Sequence, residues 1–206
     1  MKNVLLVLLI AAGLSLCNLS ERFKKGGSTS GPTASGGSSG SVEKANPTAE
    51  QTAALSGGQD VKWDKQGMSW TIPPNWTEET NESKMFVMRS PGGGNAASLI
   101  VNISPMEDDF PADSSIQAMF GQAEGRAKNG EVDEVKWVEI DGLKGVQFRE
   151  ANPEKPDGHR RLQWMAYRKY TGQLQFLNVM LASEGKDFER HKNAMYGILY
   201  SMKVAH

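Results

Sequence analysis

The stretch Gly67-Met68-Ser69-Trp70-Thr71-Ile72-Pro73-Pro74-Asn75-Trp76 decides the fold. Met68, Trp70 and Ile72 alternate with Ser69 and Thr71, the period of a strand with one buried face. The double proline then stops regular pairing, because neither ring carries an N–H, and a second tryptophan follows at once. A strand and corner of this kind anchor a sheet; they supply no reacting group. Just upstream, Val61-Lys62-Trp63-Asp64-Lys65 also alternates and Gln66-Gly67 turns, so the two segments read as a hairpin.

Further along, residues 84–90 and 97–104 read as extended segments on either side of Pro91-Gly92-Gly93-Gly94-Asn95. That glycine run has no Lys-Ser/Thr pair after it and lies between strands, so it reads as a hairpin tip and not as a phosphate loop. Ile116, Met119, Phe120, Ala123 and Ala127 keep helical spacing, a narrow stripe for one covering surface. The helix is expected to start at Asp113 or Ser114, with Ser114-x-x-Gln117 as a capping box, and to end at Asn129-Gly130. Gly121 and Gly125 weaken it by about 1 kcal/mol each relative to alanine.

Residues 135–140 and 143–150 form a hairpin about Asp141-Gly142. A longer one follows, with arms at 160–170 and 173–182 turned at Thr171-Gly172. On its first arm Leu162, Trp164, Ala166 and Arg168 share one face and Gln163, Met165 and Tyr167 the other. Neither face is purely polar, so both are expected to be covered. A closing helix over 187–204 carries Phe188, His191, Met195, Ile198, Leu199 and Met202 on one side.

The N-terminus differs in kind. Met1-Lys2-Asn3 is a short positive start, and residues 4–16 are an almost unbroken apolar run of about 20 Å as a helix, short of the ~30 Å hydrocarbon core. This has the form of an export signal. Leu14-Ser15-Leu16-Cys17 resembles the lipobox of bacterial lipoproteins, with Leu16 standing where the pattern has a small residue; the resemblance implies acylation of Cys17. Residues 26–58 are dominated by Gly, Ser, Thr, Ala and Pro, too poor in large apolar side chains to offset the entropy of ordering them. They read as a tether with a reach of roughly 30 Å. The expected organisation is a leader over 1–17, a disordered linker over 18–59 and a globular domain over 60–206.

Composition excludes several functions. Lys+Arg total 23 against Asp+Glu 24, a net charge of -1, so no basic field is available to gather on nucleic acid. The single cysteine, Cys17, leaves the body without a disulfide, a thiolate nucleophile or a zinc cage. His159, His191 and His206 lack the spacing of a metal-binding pair, and His191 reads as a hydrogen-bonded residue at a helix border. Glu107, Asp108, Asp109 and Asp113 are weak candidates for calcium or manganese, without the donor spacing of an EF-hand. No Gly-x-Ser-x-Gly or His-Glu-x-x-His occurs, and no cofactor motif.

The opening Gly67-x-Ser69-Trp70-x-Ile72-Pro73-x-x-Trp76, the helix after Asp113, the Ile140-Asp141-Gly142-Leu143-x-Gly145 hairpin, the long paired strands and the terminal amphipathic helix together resemble the Mog/PsbP-like superfamily. The resemblance covers residues 60–206 and implies an α+β fold, an antiparallel sheet sandwiched between helices. It implies no single function, since members of the superfamily include photosystem subunits, Ran-binding proteins and bacterial lipoproteins.

The expectation is therefore an exported, periplasmic or cell-surface module, held to the membrane by its N-terminal lipid or leader. It is expected to bind or assemble without catalysis, possible contacts being Trp76, Tyr170, His159, Arg160 and Arg161. Trp76 is expected in the core and the arginines on a solvated hairpin end. A cell-envelope hydrolase, its site assembled from distant residues, and a calcium- or manganese-binding accessory protein are the alternatives.

Overall fold

The computed structural model of the protein describes residues 41–206. In chain order its elements are β1 (Glu43–Lys44), α1 (Ala49–Ala53), β2 (Gln59–Trp63), β3 (Met68–Ile72), β4 (Thr77–Asn81), β5 (Met85–Arg89), β6 (Ser98–Pro105), α2 (Ala112–Lys128), β7 (Val132–Ile140), β8 (Leu143–Glu150), β9 (His159–Tyr170), β10 (Gln173–Glu184), α3 (Gly185–Ser201) and β11 (Lys203–Val204). One sheet of eight strands runs β1-β7-β8-β9-β10-β6-β5-β4, and a smaller sheet runs β11-β3-β2. Every pair is antiparallel except β1 with β7. Helix α2 lies against β7, β8 and β9 and α3 against β9, β10 and β3. The architecture is α+β.

The opening stretch does anchor the sheet. Met68, Trp70 and Ile72 are all buried, and the Trp70 ring stacks on Phe86 of β5 at 5.3 Å and 13°. Trp63 reaches the same phenylalanine at 5.7 Å and donates from Nε1 to the Glu82 carbonyl at 2.9 Å. The small sheet is thereby fastened to the large one through one aromatic cluster. Trp76 is buried after the prolines, as the sequence suggested. Under α3 the core continues through Leu162, Trp164, Leu177, Leu181, Phe188 and Met195, all fully inaccessible.

Two turns follow from local chemistry. Asp141 and Gly142 have φ of 50° and 85°, and Thr171 and Gly172 have 48° and 83°. Positive φ at both central residues matches the right-handed twist of the flanking strands. At the end of α2, Gly130 at φ 76° lets its own N–H reach Ala127 O and the Glu131 N–H reach Arg126 O, both at 3.0 Å. This closes the last helical carbonyls.

Four expectations about the elements need correction, and one strand was not expected. The folded chain begins before Asp60: β1 and α1 fall inside the stretch read as linker. Thr48 caps α1 in a reciprocal box with Gln51, and a Cβ on Gly197 of α3 would lie 2.7 Å from the Gln51 carbonyl. Ala45 and Leu55 pack on the core, so two small apolar contacts suffice to order a stretch whose composition reads as coil.

Helix α2 starts at Ala112, with Pro111 at the cap position and no capping side chain. Proline fixes φ near the helical value one turn ahead of Ser114. Helix α3 ends at Ser201, and Lys203–Val204 pairs with Ser69 and Met68, because the outer edge of β3 needs hydrogen-bond partners. Strand β4 was not foreseen, being short and polar. The second face of the long hairpin is covered only in part, as described next.

Candidate functional site

The charged side chains at the α3 end of β7, β8 and β9 form a network. Arg160, 3% exposed, donates from Nε to the Glu150 carbonyl at 2.7 Å, to Glu189 at 2.8 Å and to Asp133 at 2.6 Å. Its guanidinium also lies 4.4 Å from the centre of the Phe188 ring. Arg161 grips both carboxylate oxygens of Glu150, and Arg126 reaches the same group at 3.2 Å. Burial pushes the Glu150 carboxyl up, but Arg161 and Arg126 outweigh it and hold the group below the usual range.

Nearby, Arg149 donates to Asp133 at 2.7 Å and to the Tyr196 hydroxyl at 3.0 Å. That hydroxyl donates to Glu134 at 2.9 Å. Burial, reinforced by Glu134, pushes the Tyr196 phenol far up. Each of these carboxylates is matched by an arginine or a hydroxyl. The network braces the strands. Arg160 is therefore structural, a correction to its reading as part of a solvated hairpin end, and the partners that bury it come from β7, β8 and α3; Arg161 stays partly exposed at that end, paired with Glu150.

The other sequence candidates are scattered. Trp76 lies in the core, and Tyr170 sits under the Arg168 guanidinium at 4.3 Å. His159 is exposed on β9, His191 Nε2 is 3.3 Å from the Arg190 guanidinium, and His206 Nδ1 is 2.8 Å from the Val204 carbonyl. Glu107, Asp108 and Asp109 stay exposed in a loop and Asp113 in the first turn of α2. Among the described residues no three His, Cys, Asp or Glu side chains come close enough to hold a metal ion, nor is any helix long and apolar enough to cross a membrane. Cys17, the leader and residues 18–40 lie outside the described residues.

What the sequence did not show is a surface. Helix α2 occupies one face of the large sheet over β7, β8 and β9, and the same face continues open over β10, β6 and β5. The strand register lays its side chains out in rows. Gln163, Met180, Ile100 and Val87 form one row, and Met165, Asn178, Asn102 and Met85 the next. Most are half-buried, and Met85 is 40% exposed. Gln163 donates to Asn178 at 2.7 Å.

At the α2 end the face is bounded by Phe110, Tyr167 and Phe176, whose rings meet in sequence at 5.5 and 5.1 Å, with Ser115 hydrogen-bonded to Tyr167 at 2.9 Å. At the other end Arg89 is paired with Glu79 at 2.6 Å and Arg161 with Glu150. The middle rows carry no charge. Apolar and amide groups with charges confined to the rim resemble the centre of a protein interface. The available signal was the mixed outer set Phe176, Asn178, Met180 and Ala182 on β10. It is too apolar for a solvated face and too polar for a core. A second, shallow groove of about 530 Å³ lies between α1, α3 and β3, lined by Pro47, Leu55, Thr71 and Ser201 among others, none of them charged.

An eight-stranded sheet with α2 on one face and α3 on the other, closed by an aromatic corner, defines an α+β domain, the fold class that the sequence resemblance implied. Among solved structures the chain is similar to LpqN, involved in cell envelope biogenesis of Mycobacterium tuberculosis. The TM-score is 0.54 at 11% identity, over 72% of this chain and 86% of that one. It is also similar to the cyanobacterial PsbP of Synechocystis, with a TM-score of 0.44 at 15% identity over 85% and 100% of the two chains. The Ran-binding protein Mog1p of Saccharomyces cerevisiae gives 0.38 at 14%, over 71% and 95%. At such identities the likeness concerns fold alone. No family model and no curated protein matches the sequence.

Proposed function

We propose that the protein is a membrane-tethered, extracytoplasmic binding or assembly module, working without catalysis and meeting its partner through the open face of β10, β6 and β5. The observation that carries this reading is that face, an uncharged field of Val87, Ile100, Phe176 and Met180 with Asn102 and Asn178 between them. These side chains are only partly buried, and a contiguous, partly exposed apolar field rimmed by charge supports a partner. The export-type leader, Cys17 and the Gly/Ser-rich segment support an address outside the cytoplasm, and the fold likeness to a protein of cell envelope biogenesis agrees with it.

The test places a photo-reactive phenylalanine analogue at Ile100 in the full chain, in intact cells. A discrete cross-linked species is expected in the membrane fraction, and it is lost when Met180→Asp puts a charge in the same row. The analogue at Asn193, on the outer side of α3, gives none. Two results overturn the reading: no adduct specific to Ile100, or full-length protein recovered as soluble whether or not Cys17→Ala is present.

A further inference from the structure

We propose that the outer edge of β7 is a strand-acceptor site. In the resting chain its own Glu43, Lys44 and Ala45 fill it, and they exchange with an extended segment of a partner protein carrying a carboxylate and, two residues on, a small apolar side chain. This is a second contact, separate from the open sheet face, and does not rest on it.

The register identifies what the site offers. Strand β7 has nine residues and β1 only two, paired as Glu43 with Val138 and Lys44 with Glu139. The Ala45 N–H donates to the Glu139 carbonyl at 2.8 Å, so the main-chain groups of Glu139 point outward. Alternation along a strand turns those of Trp137 and Val135 the same way. Among the described residues β1 pairs with β7 only at Val138 and Glu139. An edge covered by so short a strand is a template for strand exchange.

The occupant's chemistry is written in the segment now there. Glu43 meets Lys136 Nζ at 3.1 Å, on the face that carries Glu134 and Tyr200. Ala45, on the same side, packs against the main core, which a small apolar side chain reproduces. Lys44 pairs only with Glu139, at 3.8 Å, and is 84% exposed, so it adds little to selection. A partner segment running parallel to β7 with a carboxylate at the first position therefore reproduces each contact.

The resident segment is built to leave. No residue of 41–58 is buried, and its ion pairs are at the surface. Gly57, at φ 70°, turns the chain into β2. Covalent attachment gives the resident segment a high effective concentration, so it acts as an internal competitor that any partner must displace.

The experiment uses the full chain and a fluorescent synthetic peptide of residues 41–58, followed by anisotropy. In the wild-type chain the resident segment competes and binding is weak. Glu43→Lys in the chain sets the segment against Lys136 without altering the acceptor, and the peptide is then expected to bind about tenfold tighter. A peptide with lysine at position 43 does not. The locking variant, Lys44→Cys with Glu139→Cys in a Cys17→Ala background, joins neighbours about 4.8 Å apart, within disulfide reach. Oxidised, it excludes the peptide; reduced, it admits it. Equal affinity for wild type and Glu43→Lys, binding that persists in the oxidised lock, or no binding at millimolar peptide overturns the proposal. Cooperative melting of each variant establishes that it is folded.

Discussion

Glu150 shows how much one side chain can depend on residues far along the chain. Its carbonyl accepts from Arg160, ten residues on, and its carboxylate from Arg161 and from Arg126, 24 residues back. Read in sequence, His159-Arg160-Arg161 is a basic cluster beside a glycine; nothing local says that Asp133, Glu150 and Glu189 converge on it. The arginines were legible as charges but not as bracing, because burial of a charge is decided by partners on other elements. The pH response follows from the same contacts. The folded Glu150 carboxyl titrates below its unfolded value because the two arginines outweigh burial. It therefore contributes stability that is present above the unfolded pKa of about 4.3 and lost as pH falls through the folded value. Glu150→Gln is expected to lower the melting temperature at pH 7 and to narrow the gap to wild type below about pH 4. Thermal melts between pH 3 and pH 7, at roughly half-unit steps, measure it; a gap constant with pH assigns the loss to packing instead of charge.

Elements with their own turn chemistry could be read directly, and those that exist to complete an edge could not. Asp141-Gly142 and Thr171-Gly172 announce their hairpins because few residue pairs accept positive φ twice in succession. Strand β11 was absorbed into α3 because Met202 continues the helical stripe; it becomes a strand only because β3 presents an edge and Asp141 accepts the Val204 N–H at 2.9 Å. Helix α2 was placed correctly in kind, but Ala123 is its only buried residue, and Phe120 reaches the sheet by stacking on Trp137 at 4.7 Å and 13°. So shallow a seat leaves its intrinsic propensity exposed to measurement. Gly121 and Gly125 face open space, with nothing within 4 Å of an added Cβ, and neither has positive φ. Alanine at each is expected to stabilise by about 0.5–1 kcal/mol, raising the melting temperature by roughly 2–4 °C per kcal/mol. Calorimetric melts of the single and double variants check this. Lack of any gain, or a gain at one site only, marks where the helix frays before the domain unfolds.

For the whole molecule the decisive question is where the folded unit starts. Composition puts the boundary at Asp60, because a stretch rich in Gly, Ser and Thr cannot order itself alone. Among the described residues the structure carries it back to Glu43, because the stretch is ordered by what it lands on: Leu55 and Ala45 against the core, α1 against Gly197, and Gly58 so near β3 that a Cβ would lie 2.4 Å from the Ile72 carbonyl. These contacts are few and half-exposed, and the backbone entropy of ordering the segment opposes them. Their net value is expected to be about 2 kcal/mol, far below that of a buried strand. A chain beginning at Asp60 should therefore melt some 4–8 °C below one beginning at Ser41, but still cooperatively. Scanning calorimetry of the two chains measures the difference. Strand exchange at β7 depends on this intermediate value. At about 2 kcal/mol the segment is released in a few per cent of molecules, enough for a partner to enter and too few to leave the edge open to aggregation. A boundary at Asp60 with no loss of stability would leave the resident segment unable to guard the site, and a collapse of the shortened chain would make it too tightly held to exchange.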